Sequence, residues 1–90
     1  MTAIAIDDEP IALEVIKSLA AKVPFLELKT CFSNAFEGIE YLQKQKIDLL
    51  FLDIKMPDIS GVEVSRSLQN PPMIIFTTAY GEHAVEGFRS

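Results

Sequence analysis

Acidic residues stand at the ends of two apolar runs in this 90-residue chain, and a hydroxyl stands at the end of a third. Asp7 and Asp8 close Thr2-Ala3-Ile4-Ala5-Ile6, Asp53 closes Leu49-Leu50-Phe51-Leu52, and Thr78 closes Met73-Ile74-Ile75-Phe76-Thr77. Short continuous apolar runs of this kind read as strands, the first two of them buried. In a parallel α/β sheet the carboxyl-terminal strand ends share one edge, and ligand sites form there. Carboxylates gathered at such an edge repel one another and need a cation. A hard dication held by carboxylates, with room left for phosphate, is the Mg²⁺ arrangement of phosphoryl-transfer sites. An ionised carboxylate beside that ion can attack phosphorus as a nucleophile. The spacing therefore points to Asp53 as a phosphate-accepting aspartate.

Each of these residues also has a plainer reading. Asp8 or Glu9 could cap the helix that starts at Pro10, where acids favour the positive dipole end. Asp53 could simply end its strand and open a turn completed by Pro57 and Gly61. Thr77 and Thr78 are β-branched residues that suit a strand. Alternation along the strand sends Thr77 to the side opposite Thr78, which leaves Thr78 to meet a phosphoryl group on Asp53. Ala79 is small and leaves space beside it. His83 reads as an exposed or partner-contact residue beyond the strand end, and Cys31 as a small core residue.

The elements that must position these groups alternate in period. Between Pro10 and Ala21, the apolar residues Ile11, Ala12, Val15, Ile16, Leu19 and Ala20 recur at helical spacing, with Glu14, Lys17 and Ser18 outward. Residues 26–31 alternate like a strand with one wet face. Ser33 or Asn34 can cap a second helix with Ala35, Ile39 and Leu42 inward. Residues 47–52 form a third strand, and Val62, Val64 and Leu68 lie in a short third helix. Residues 73–77 form a fourth strand, followed by a helix carrying Ala84, Val85 and Phe88. The order β-α-β-α-β-α-β-α specifies an α/β fold: a doubly wound, mostly parallel sheet with right-handed crossovers. Residues 1–90 are one domain. The apolar fourth strand is left uncovered along one edge, which invites pairing. The expectation is that a fifth strand and helix are missing, and that this piece self-associates, for example as a homodimer.

Composition excludes several classes. The chain is 49% hydrophobic and 23% charged with a net charge of −5, and its eight Lys and Arg are scattered. Direct nucleic-acid binding by this segment is therefore not expected. No apolar run approaches the ~20 residues that cross a bilayer. No signal peptide is evident. One cysteine permits no internal disulfide and fits a reducing compartment. The expected setting is cytoplasmic, without a membrane partner.

Three stretches together resemble the receiver domain of two-component response regulators over nearly the whole chain. They are Ile6-Asp7-Asp8-Glu9-Pro10, the run from Leu52 and Asp53 through Lys55, Met56 and Pro57 to Gly61, and Phe76-Thr77-Thr78-Ala79-Tyr80. The last stretch, with His83 to Phe88, looks more like the LytTR branch, whose receivers usually precede a DNA-binding output domain. The resemblance implies that Asp53 accepts a phosphoryl group from a histidine kinase. It implies Mg²⁺ held by Asp7, Asp8, Asp53 and the backbone carbonyl of Lys55, with Thr78 bonding the phosphoryl group and acting as the switch. The domain would catalyse only its own phosphorylation and dephosphorylation and relay the change to an output domain that regulates transcription; DNA would be reached only through that domain. Receivers also carry a Lys on a fifth strand, and this chain has no Lys beyond Lys55. In receivers the Lys55 and Tyr80 positions influence how water reaches the phosphoryl group, so a long-lived aspartyl phosphate is expected.

Two other functions compete. A haloacid-dehalogenase-type phosphatase also uses Mg²⁺ and an aspartate after a buried strand, but it wants an acid where Lys55 stands. A degenerate receiver could serve only as a dimerisation module, which the intact acidic cluster and Thr78 argue against.

Overall fold

The computed structural model describes residues 1–57 and 59–77. Four strands, β1 (Thr2–Ile6), β2 (Glu27–Phe32), β3 (Leu49–Asp53) and β4 (Met73–Thr77), alternate with helices α1 (Pro10–Ala20), α2 (Ala35–Lys44) and α3 (Gly61–Ser67). The predicted fourth helix, with His83, lies outside the described residues. All strand pairs are parallel, in the order β2-β1-β3-β4. The chain runs outward from β1 to β2, then returns past β1 to β3. The strand order thus reverses between β1 and β3, the place where doubly wound sheets bind ligands.

Two apolar layers hold the sheet. On one face Ile4, Ile6, Leu50, Leu52 and Val64 are fully buried, with Ala35 and Ile47 beside them and Ile39 and Leu42 of α2 packed on them. On the other, Ala5 meets Leu13 and Ile16 of α1, flanked by Leu28, Cys31 and Phe51. The two strand parities divide these sets as a pleated sheet requires. Cys31 is half-buried at the margin of the smaller cluster, and burial there raises its thiol pKa.

The helical stripes differ in detail from those expected. On α1 the buried residues are Leu13, Ile16 and Ala20, whereas Ile11, Val15 and Leu19 are exposed. The buried set is spaced three and four residues apart, one face of a 3.6-residue helix, and the exposed trio forms the adjoining i, i+4 stripe. Apolar composition on both stripes hid which one faces the sheet. On α3, Val64 is buried but Val62 is 41% exposed.

Asn34, not Ser33, caps α2. Its Oδ1 accepts from the N–H groups of Phe36 at 2.8 Å and Glu37 at 3.2 Å. Asn34→Ala is expected to lower unfolding stability by ~1 kcal/mol, read by denaturant titration. On the same helix Gly38 lets the backbone approach β1, since a Cβ there would meet Ile6 Cδ1 at 2.3 Å. At the amino-terminal edge of the sheet, Thr2 and Asp48 tie the starts of β1 and β3. Asp48 Oδ2 accepts from the Thr2 N–H at 2.9 Å and from its hydroxyl at 3.2 Å. This clamp sits at the foot of the register that ends with Ile6 opposite Leu52. One residue further along that register, Asp7 comes level with Asp53.

Candidate metal and phosphoryl site

Asp7, Asp8 and Asp53 converge at the carboxyl-terminal edge of β1 and β3. One carboxylate oxygen from each lies within 4.8 Å of the other two. Asp7 is 3% and Asp53 6% exposed, while Asp8 is half-buried. Among the described residues, Asp7 and Asp53 are the buried charged side chains. Charge is rarely buried without a partner, so this placement calls for a function.

Backbone amides orient the two buried acids. The Glu9 N–H donates to Asp7 Oδ1 at 2.9 Å, and the Lys55 N–H donates to Asp53 Oδ1 at 3.2 Å. The Asp7 amide in turn donates to the Phe32 carbonyl at 3.0 Å, which fixes the end of β1 against β2. The capping reading holds in position only: Glu9 occupies the cap position of α1 but makes no side-chain cap bond. Asp7 instead turns back onto the amide of Glu9.

Burial and mutual repulsion shape the electrostatics. Desolvation, then the charge of Asp7 and the contact with Asp8, push Asp53 up to about 7, although the Lys55 amide works against this. Desolvation also raises Asp7, opposed by the Glu9 amide and a hydrogen bond with Asp53 and reinforced by the charges of Asp8 and Glu9. Both shifts are those of desolvated carboxylates crowded by other acids. The donor set is all oxygen, compact and anionic, which fits a hard dication such as Mg²⁺.

The loop after β3 is held close to the site. The Ile54 N–H donates to the Thr77 carbonyl at 3.1 Å, and the Gly61 N–H to the Ile54 carbonyl at 2.8 Å. A Cβ on Gly61 would lie 2.3 Å from the Asp53 carbonyl oxygen, a backbone contact that cannot yield cheaply. Gly61 therefore matters for close approach, which its presence in a turn-rich stretch did not reveal. Gly61→Ala is expected to displace the β3–α3 connection, lowering stability by ~1–3 kcal/mol and weakening divalent-cation binding. Thermal unfolding with and without Mg²⁺ reads both effects. Ser60 and Glu63 brace the start of α3, the Ser60 hydroxyl accepting from the Glu63 N–H and donating to Glu63 Oε1, each at 3.2 Å.

A small cavity of about 70 Å³ opens beside Asp8, between Asn34 and Phe36 on one side and Met56, Pro57 and Ile59 on the other. A larger hollow of about 650 Å³ lies at the amino-terminal ends of β3 and β4. No carboxylate lines it, so it offers no cation site. Of the residues singled out from sequence, the structure thus brings together Asp7, Asp8 and Asp53, with Lys55 joined through its amide. Thr78, Ala79 and Tyr80 lie outside the described residues.

A doubly wound parallel sheet with a carboxylate cluster at its switch point defines an α/β domain with a candidate cation site. The chain belongs to the response regulator receiver domain family, which it matches over residues 3–89. It is 39% identical over 90 residues to an uncharacterized response regulatory protein of Vibrio cholerae, covering 98% of this chain and 38% of that one. It is 41% identical over 85 residues to the transcriptional regulatory protein BtsR of Escherichia coli, covering 92% of this chain and 36% of that protein. The chain thus spans less than two-fifths of the curated relatives it matches. Among solved structures, the response regulatory domain of mrkE from Klebsiella pneumoniae superposes with a TM-score of 0.78 at 33% identity, covering 99% of this chain and 75% of that one. The response regulator domain of Thermotoga maritima CheB shares the fold, with a TM-score of 0.79 at 20% identity over 99% of this chain and 71% of that one. The domain is the receiver of a two-component response regulator. Among the described residues no helix is long and apolar enough to cross a membrane.

Proposed function

We propose that Asp53 is the phosphoacceptor of this receiver and that Asp7, Asp8 and Asp53 hold Mg²⁺ beside it. The observation that carries this reading is the set of three carboxylate oxygens within 4.8 Å, two of them on buried residues. An Asp53 oxygen attacks the phosphorus of a histidine kinase's phosphohistidine. The O–P bond forms as the N–P bond breaks, and the imidazole leaves with a proton. Mg²⁺, when bound, neutralises charge on the carboxylates and on the transferring phosphoryl oxygens. The Lys55 amide, already bonded to Asp53, keeps the other carboxylate oxygen in place. The backbone carbonyl of Lys55 as a further metal ligand, and the bond from Thr78 to the phosphoryl group, rest on the family resemblance.

On this reading the domain turns over no external substrate. Phosphorylation shifts its population between two packings, and an output domain senses the shift. The motif from Phe76 to Tyr80 supports a LytTR-type, DNA-binding output, and the name of the Escherichia coli relative supports control of transcription. A cytoplasmic setting follows from that role. The test is incubation of the full-length protein with Mg²⁺ and acetyl phosphate, followed by mass spectrometry. A single phosphoryl adduct on Asp53 supports the reading. Continuous release of phosphate from many esters would instead mark a phosphatase.

Self-association has one supporting observation. β4 is an outer strand among the described residues, with Met73 64% and Phe76 36% exposed. The other outer strand, β2, carries Glu27, Lys29 and an irregular register against β1, features that discourage pairing. Sedimentation velocity of the 90-residue piece is expected to show concentration-dependent association, and a monodisperse monomer at high concentration would refute it.

A further inference from the structure

Among the described residues, one buried side-chain polar atom has no hydrogen-bond partner: the hydroxyl oxygen of Thr77. Such groups are uncommon, because a buried hydroxyl without a partner carries its desolvation cost uncompensated. Its position supplies a reason. In the parallel pair of β3 and β4, Thr77 is the register partner of Asp53. Register partners in adjacent parallel strands project to the same face, and the strands lie ~4.8 Å apart. The Thr77 carbonyl is already engaged by the Ile54 amide, so its backbone oxygen is committed to the ladder. The side chain alone remains without a bond, on the residue that stands opposite Asp53 in the ladder.

We propose that Thr77 is a second hydroxyl of the phosphoryl site: buried without a partner beside Asp53 in the unmodified domain, it donates a hydrogen bond to the Asp53 side chain once that residue is phosphorylated. The inference rests on Asp53 being the phosphoacceptor. It is distinct from the role of Thr78, to which the family resemblance assigns a phosphoryl bond. Phosphorylation places three strong acceptor oxygens on Asp53. A hydroxyl already stripped of water on the same face can satisfy one of them without further desolvation. The unmodified domain then bears the cost of the unpaired group and the modified one is relieved of it. Thr77 therefore biases the equilibrium toward the phosphorylated packing.

The test uses the full-length protein with Thr77→Val, which keeps the branched shape and removes the hydroxyl, and Thr77→Ser, which keeps the hydroxyl. Beryllium fluoride with Mg²⁺ serves as the phosphoryl mimic. Thr77→Val is expected to raise the melting temperature of the unmodified protein and to weaken beryllium fluoride binding about tenfold, the equivalent of one hydrogen bond. Thr77→Ser is expected to restore most of that affinity. Wild-type affinity in Thr77→Val would overturn the role of Thr77 alone. So would an equal fall in melting temperature with and without the mimic, since the hydroxyl would then serve a group elsewhere in the chain. If wild-type protein gives no response to beryllium fluoride, the phosphoacceptor assignment and this inference fall together.

Discussion

Asp53→Asn is expected to abolish phosphoryl acceptance and to leave the domain folded. The amide fills the same volume as the carboxyl group but is not a nucleophile, so labelling by acetyl phosphate and Mg²⁺ is expected to fall on the order of 10³-fold or more. The substitution also removes one of the two charged side chains buried at the site. Stability of the metal-free protein at neutral pH should consequently rise rather than fall, because the other carboxylates lose a repelling neighbour. The two readouts move in opposite directions, which separates lost chemistry from lost structure. Labelling of Asp53→Asn at the wild-type rate would move the nucleophile elsewhere, with Asp7 and Asp8 the neighbouring carboxylates.

The second large effect concerns pH. Asp53 is raised from 3.8 to about 7, and Asp7 is raised as well. An acid whose folded pKa exceeds its unfolded value binds more protons folded than unfolded between those two values. Stability therefore falls as pH rises through that window and levels off above about pH 7. For a shift of this size in a group only 6% exposed, the fall is on the order of 2–4 kcal/mol. Urea titrations of metal-free protein between pH 5 and pH 8 read it directly. Mg²⁺ held by this cluster would favour the ionised carboxylates, so its stabilising effect should be larger at pH 8 than at pH 5. A metal-free stability that rises steadily over that range would contradict the electrostatics of the pocket. In Asp53→Asn the slope should shrink, which assigns the effect to this cluster.

Much of the site could be read from strand ends alone. Apolar runs ending in acids located Asp7, Asp8 and Asp53 because a two-sided buried strand leaves its only polar residues at its tips. The alternation of strands and helices then implied the parallel order that brings β1 and β3 together. Other features depended on geometry that no local pattern encodes. Leu13 faces the sheet on α1 while Val15 does not, because the orientation of the helix selects between two adjoining apolar stripes. Gly61 reads as a turn residue, yet its constraint is the Asp53 carbonyl oxygen where a Cβ would stand. Alternation along a single strand favours Thr78 over Thr77. The register between β3 and β4, a relation across strands, puts Thr77 beside Asp53.

Binding of a paramagnetic dication examines the carboxylate cluster itself, apart from phosphorylation. Mn²⁺ added below equimolar amount to the ¹⁵N-labelled full-length protein at pH 8 should first broaden the amide signals around Asp7, Asp8 and Asp53. Asp8→Ala should abolish that selectivity without altering the fold. Broadening spread evenly over the exposed acids Glu14, Glu37, Glu40 and Glu63, with none favoured at the ends of β1 and β3, would mean that these three side chains do not form a cation site.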